Sequence, residues 1–386
     1  LGLVFLAAYK STDERIALGD QYVAEGNYER AAKEYGKLLH KVDSQVELVP
    51  VLVKFFDATG QVKVPAGPEA NAAFQQILGA INQATLEDPG NLAVFQRYMA
   101  ILTEVNAWDR MYDRANTSVK ASPGMLEARK FRGIAQVNRL RGGLSLLDED
   151  RQLMKDDLEI YLKQNPDDSE SVLRLAQAHL VEANIQSHRP NVRSEQVEQI
   201  RQIGIDLTAQ ALSGDPEAIR RQLDHAVILT MAHRYRESVP IVAGIEKEML
   251  ERPGSRREVL TLIGLIAVPE EEIEDLTQEQ TKAVRDRRIN ILRVALEAYP
   301  EDLVIKGNYG FALLANTEFE KAKRVFREMR DIDVLATPVE AYLQTSAQQM
   351  GIVRLCDLML NAAEVETDVA LRDESLKTVE DMLEQA

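Results

Sequence analysis

The chain has 386 residues, of which 45% are hydrophobic, 28% charged and only 5% aromatic, and its formal net charge is −16 from 46 basic and 62 acidic residues. That balance argues against nucleic acid as the main partner, because phosphate binding needs a basic stripe, and it suits a core of Ala, Leu, Ile and Val in close-packed helices better than a β-sandwich. Cys356 is the single cysteine, which excludes an intramolecular disulfide and with it a disulfide-rich secreted scaffold.

The first residues, Leu1-Gly2-Leu3-Val4-Phe5-Leu6-Ala7-Ala8-Tyr9-Lys10, form an apolar run ending in Tyr-Lys. As a helix the run rises about 14 Å, too little for a hydrocarbon core of about 30 Å. Three readings stay open: the last turns of a transmembrane anchor or uncleaved signal, a first helix packed on the rest, or a cloning artefact. The first would make the remainder membrane-anchored or periplasmic, that is extracytoplasmic. The alternative is a cytoplasmic protein. No other stretch is apolar enough to span.

Ser11-Thr12-Asp13-Glu14 predicts a capping box, a hydroxyl followed three residues later by a carboxylate. Behind it come Leu18-Gly19, Tyr22, the turn Gly26-Asn27, then Tyr28, Ala31 and Tyr35. Small residues at 19 and 31 let two helices cross closely, and the three tyrosines fill the space around the crossing. A weaker unit follows, with helices at 46–57 and 68–86 joined by a Gly/Pro-rich loop at 60–67. Pro89 and Pro123 are 34 residues apart and bracket a unit in which Phe95, Tyr98 and Leu102 mark the first helix and Trp108 opens the second. The next has Gly133 in register, a turn at Arg141-Gly142-Gly143 and a stop at Pro166, with extra residues near 143–150. Then come Ser171-Val172-Leu173-Arg174-Leu175-Ala176-Gln177, an expected polar loop at 184–194, and a partner helix at 196–211. Ala226, Leu229 and the turn His233-Arg234 define the sixth unit. In the seventh, an acidic insertion at 269–275 reads as a solvated loop, after which Thr277 and Gln280 restart a helix as a capping pair. The eighth carries Gly310, Leu313, a turn at Thr317, Phe319, Ala322 and Phe326.

A helix-pair period of about 34 residues closed by proline, with these small and aromatic residues in phase, resembles the tetratricopeptide repeat (TPR). The resemblance is closest in the first and last units and covers most of the chain. It implies an all-α fold: an α-solenoid superhelix of about eight TPR-like helix pairs over 11–340, preceded at 1–10 by the anchor or signal remnant. A C-terminal helical cap of two or three helices at 341–386 follows, with 374–384 polar on one face.

The same resemblance implies a groove lined by the first helices. Its positions would be Asp13, Ile16, Asp20 and Val23 in the first unit, Gln96, Ala100 and Thr103 in the third, and Lys130, Ile134 and Val137 in the fourth. In the fifth they would be Leu173, Gln177 and Leu180, in the sixth Leu223, Val227 and Thr230, and in the eighth Gly307, Phe311 and Leu314. These positions equally suit packing between helices. Asp20 stands where chaperone-binding members of the family carry an asparagine that helps clamp a C-terminal carboxylate, and it would repel such a ligand. The largely apolar remainder points instead to a peptide or an amphipathic helix of a protein partner.

The sequence carries no phosphate-binding glycine loop, no His-Glu-x-x-His and no Gly-x-Ser-x-Gly. Of the five histidines, His225 and His233 are eight apart and could share a helix face, yet no further ligands lie near in sequence. Cys356, among Val353, Leu355 and Leu358, reads as a small buried hydrophobe. The pairs Arg220-Arg221 and Arg256-Arg257 read as exposed helix charge. The expectation is therefore a non-enzymatic interaction scaffold in a multiprotein assembly, without cofactor, metal, small-molecule substrate or nucleic acid, possessing an N-terminal membrane tether on the first reading of residues 1–10. The alternatives are a regulatory module of a larger enzyme or signalling system and a polymerising structural subunit. The Ala/Glu/Arg-rich texture suggests a bacterial source.

Overall fold

A computed structural model describes residues 11–39, 45–215, 218–272, 277–332, 335–365, 373, 376–380 and 382. The readings placed on residues 1–10 lie outside them, as do residues 374, 375, 381, 383 and 384 of the expected polar helix at 374–384. The chain divides into two compact units, Leu1–Leu146 with Asp333–Leu343, and Leu147–Ile332 with Gln344–Ala386.

Unit 1 contains α1 (Thr12–Ala24), α2 (Tyr28–Gly36), α3 (Gln45–Thr59), α4 (Pro68–Glu87), α5 (Leu92–Glu104), α6 (Trp108–Ala121) and α7 (Leu126–Arg141), each packed on the next. The capping box at the start of α1 forms as expected, with Glu14 N–H donating to Ser11 Oγ at 3.2 Å and Ser11 N–H to the Glu14 carboxylate at 2.8 Å. Gly19 is indispensable at the α1–α2 crossing, since a Cβ there would lie 2.4 Å from the buried Tyr35 ring. An unpredicted feature sits in the 60–67 loop. Val64–Pro65 forms a two-residue strand, β1, paired antiparallel with β2 (Leu335–Ala336), in register Val64↔Ala336 and Pro65↔Leu335. Beside this ladder Tyr342 stacks on Phe74 of α4, centroids 4.2 Å apart and planes 16° from parallel.

Unit 2 contains α8 (Asp148–Leu162), α9 (Ser169–Ser187), α10 (Ser194–Gly214), α11 (Ile219–Met231), α12 (Tyr235–Glu251), α13 (Arg256–Glu272), α14 (Gln278–Ala298), α15 (Leu303–Ala315) and α16 (Phe319–Asp331). Successive helices pack together, and α11 additionally lies against both α9 and α13, so the first helices of these pairs form one face. The α15–α16 crossing repeats the α1–α2 device: a Cβ on Gly310 would lie 2.6 Å from the Phe326 ring. Cys356 is buried as expected.

The repeat is legible in the backbone. Left-handed residues Gly26 (φ 72°), Asn106 (54°), His233 (58°) and Thr317 (60°) each fall two positions after a first helix and two before its partner. In each case the following N–H reaches back five residues: Asn27 to Tyr22, Ala107 to Leu102 and Arg234 to Leu229 at 2.8 Å, Glu318 to Leu313 at 2.9 Å. This is the Schellman closure, which satisfies carbonyls that a helix end would otherwise leave open.

Two expectations need correction. The loop expected at 184–194 is shorter: α9 continues to Ser187 and α10 begins at Ser194, leaving 188–193 between helices of 19 and 21 residues. The acidic stretch from 269 was expected to be a loop, but α13 runs on to Glu272; glutamates are good helix formers, and added length is absorbed more easily by extending a helix than by a long loop. The segment after the eighth pair begins with a helix of 28 residues, α17 (Pro338–Val365).

Candidate partner-binding surface

The first helices of unit 1 line a cleft of about 850 Å³. Asp20 and Val23 come from α1, Lys54, Phe56 and Asp57 from α3, and Arg97 and Ile101 from α5, while Ile77 of α4 lies at the floor and Val339 contributes from the segment bearing β2. Two ion pairs tie neighbouring first helices. Lys54 bonds to Asp20, and Arg97 grips Asp57 with Nε at 3.2 Å and Nη2 at 3.3 Å. Tyr35 donates to Asp20 Oδ1 at 2.6 Å, and the Lys54 ammonium stands 5.8 Å from the centroid of the same ring.

These contacts set the electrostatics. Partial desolvation opposes ionisation of Asp20, but the bonds from Lys54 and Tyr35 and the Lys54 charge outweigh it and hold the carboxyl below its ordinary value. Burial, then the bond and charge of Asp20, push the Tyr35 phenol up, so it stays a donor. The cleft therefore offers an apolar floor, rimmed by fixed charges of both signs. Its lining holds no histidine, cysteine or serine.

The expected groove residues divide by environment. Asp20, Val23 and Gln96 are exposed, and Ile16, Thr103, Lys130, Val227, Phe311 and Leu314 are half-buried. Ile134, Leu173, Gln177, Leu180 and Thr230 are buried. Leu173 and Leu180 pack with Ile205, Ile228 and Leu229, and Thr230 bonds to Ser238 at 2.8 Å, so these side chains knit helices together. Phe311 meets Phe326 edge-on, centroids 5.7 Å apart. Of the nineteen positions carried from the resemblance, the cleft unites only Asp20 and Val23. The α3 contribution was missed because that unit lacks the Leu-Gly signature and no positions were carried onto it. The available signal was Lys54, 34 residues after Asp20, one repeat length and opposite charge. His225 and His233 do not share a helix face: His225 is buried in α11 against Thr208 Oγ1 at 2.9 Å, whereas His233 lies in the turn beyond it. Among the described residues, no three His, Cys, Asp or Glu side chains gather where they could hold a metal ion.

No protein-family model matches the sequence, and no curated protein matches it. Among solved structures, a tetratricopeptide repeat protein from Parabacteroides merdae superposes with a TM-score of 0.52 over 78% of this chain and 98% of its own, at 12% identity. The chain has a tetratricopeptide-type helical-repeat fold. A human IFIT1 dimer with m7Gppp-AAAA also matches, over 83% of this chain and 71% of its own, at 14% identity and a TM-score of 0.39. Yeast Tom70 matches over 96% and 95%, at 11% identity and a TM-score of 0.27. The tetratricopeptide assignment accounts for the Schellman turns and the Gly–aromatic crossings described above, because both recur where the repeat demands a tight turn or a close approach.

Proposed function

We propose that this chain is a non-enzymatic protein–protein interaction scaffold that holds a peptide or amphipathic helix of a partner in the unit 1 cleft. The observation that carries the reading is the convergence of α1, α3 and α5 on an apolar floor bounded by the Asp20–Lys54 and Asp57–Arg97 pairs. An apolar seat with a charged rim suits an amphipathic segment, whose apolar side chains enter while its polar side chains meet the rim. Protein partners are favoured over nucleic acid by the net charge of −16. A membrane tether at residues 1–10, an extracytoplasmic location and a bacterial source belong to the same proposal and rest on the sequence. Among the described residues no helix is long and apolar enough to cross a membrane.

The test is site-specific photocrosslinking in the native host, with the photoreactive residue at Val23 and, for comparison, at exposed Glu29 on α2. The expected result is a discrete protein adduct from position 23 that disappears when Ile101→Asp is introduced. Equal adducts from both positions, or none from 23, would refute the cleft as the binding surface.

A further inference from the structure

In unit 2 the face made by α9, α11 and α13 gathers three guanidinium groups on one carboxylate. Glu170, in the first turn of α9, accepts from Arg174 Nε at 2.8 Å and Nη2 at 2.7 Å, from Arg220 Nη2 at 2.9 Å and from Arg257 Nη2 at 2.5 Å. Arg174 is buried and also donates to Gln177 Oε1 at 3.0 Å, so its donors are largely committed. Arg220 and Arg257 are different. Each makes its bond to the same oxygen, Glu170 Oε2, and their side chains remain 42% and 51% exposed. A guanidinium carries five N–H donors in a planar fork, so most of the donors of both groups remain available to solvent or a ligand.

The charge balance points the same way. Three cations face two acids, Glu170 and Asp224, and Asp224 lies one turn along α11 from Arg220. Asp224 does not bond to these arginines, and its Oδ2 is buried without a hydrogen-bond partner. Two half-exposed cations of like sign, brought together by one part-buried carboxylate, would be relieved by a second carboxylate arriving from outside. The planar forks match a carboxylate in the bidentate geometry that gives the stronger charge-assisted bonds. Nucleic acid is a poorer fit, since a chain with a net charge of −16 repels a polyanion beyond this local patch.

We propose that Arg220 and Arg257, anchored by Glu170 on the α9–α11–α13 face, form a binding site for the carboxylate side chains of an acidic segment of a partner protein. The site is separate from the unit 1 cleft and stands or falls independently of it.

The test uses the full chain and a fluorescent peptide rich in glutamate, with the same peptide carrying glutamine as reference, followed by anisotropy at low salt. The glutamate peptide binds and weakens as salt is added, and the glutamine peptide does not bind. Arg220→Gln with Arg257→Gln weakens binding about tenfold or more, the loss expected for at least one charge-assisted contact, while circular dichroism stays native. Arg324→Gln with Arg327→Gln, on the exposed side of α16, leaves binding unchanged. Glu170→Gln removes the internal carboxylate and tightens binding if it folds; the arginine pair decides the matter if it does not. Equal binding of the two peptides, an affinity insensitive to the Arg220/Arg257 change, or an oligouridylate probe that binds more tightly than the glutamate peptide would each overturn the proposal.

Discussion

Replacing Asp224 by asparagine should stabilise the protein near neutral pH and do much less in acid. Burial, the largest influence, followed by smaller opposed effects of Arg220 and Glu170, pushes this carboxyl up to about 6, against 3.8 for an ordinary aspartate. An acid that holds its proton more tightly in the folded state gives stability that is complete below the unfolded value and is lost as pH rises through the folded one. At about 1.36 kcal/mol per pKa unit, ionised Asp224 costs about 3 kcal/mol at pH about 7.5 and about 0.5 kcal/mol at pH about 4. Asparagine removes that pH-dependent cost but leaves an amide in a place where Oδ2 has no partner, an offset of about 1–2 kcal/mol at every pH. The measurable quantity is thus the difference between variants at the two pH values. Urea unfolding followed by circular dichroism should show Asp224→Asn gaining about 2 kcal/mol more at the higher pH than at the lower, in the transition that includes α11. A stability difference that does not change with pH would refute the assignment of a raised, uncompensated carboxyl to Asp224.

Gly310→Ala should cost about 1–3 kcal/mol in thermal or urea melts, because the new Cβ would lie 2.6 Å from the fully buried Phe326 ring. Gly79→Ala, where no atom lies within 4 Å of the added carbon, should instead stabilise α4 by about 0.5–1 kcal/mol in the same melts. Tyr342→Ala removes the stack on Phe74 and should speed hydrogen exchange of the amides around β2 before any change at α1 is seen, as hydrogen-exchange mass spectrometry can resolve.

Much of the fold was legible because it is written in local chemistry. Gly26-Asn27, His233-Arg234 and Thr317 marked turns that the structure closes with left-handed residues, and Gly19 and Gly310 marked crossings where only a hydrogen fits against Tyr35 and Phe326. The insertions were misread for the same reason. Polar and acidic runs suggest loops, but glutamine and glutamate are also good helix formers, and here α9 runs on to Ser187 and α13 to Glu272. The β1–β2 pairing was beyond reach, since it joins Val64 to Ala336 and nothing local in either dipeptide announces the other. The binding surface was only half legible. Repeat phase says which residues belong to a first helix, but not which side of it is covered. Leu173 and Leu180 carry the apolar character of a groove, and their environment shows that this character serves packing.

The charged residues that matter here occupy a particular mechanical niche. Asp20, Lys54, Arg97, Arg220 and Arg257 all lie on first helices, are partly exposed and are held by ion pairs between first helices. Such pairs contribute about 0–1 kcal/mol each, whereas truncating a core side chain such as Phe326 or Leu292 costs about 3–5 kcal/mol. The buried faces of both helices in each pair and the crossing glycines therefore carry the stability, and the outer row of first-helix side chains can change charge with little effect on folding. Within one repeat fold, unit 1 can consequently present a cleft with an apolar floor and balanced rim charges while the α9–α11–α13 face presents an excess of guanidinium. The two surfaces are distinguished by side chains that the helical framework barely constrains, so charge substitutions at these positions should separate binding from stability cleanly.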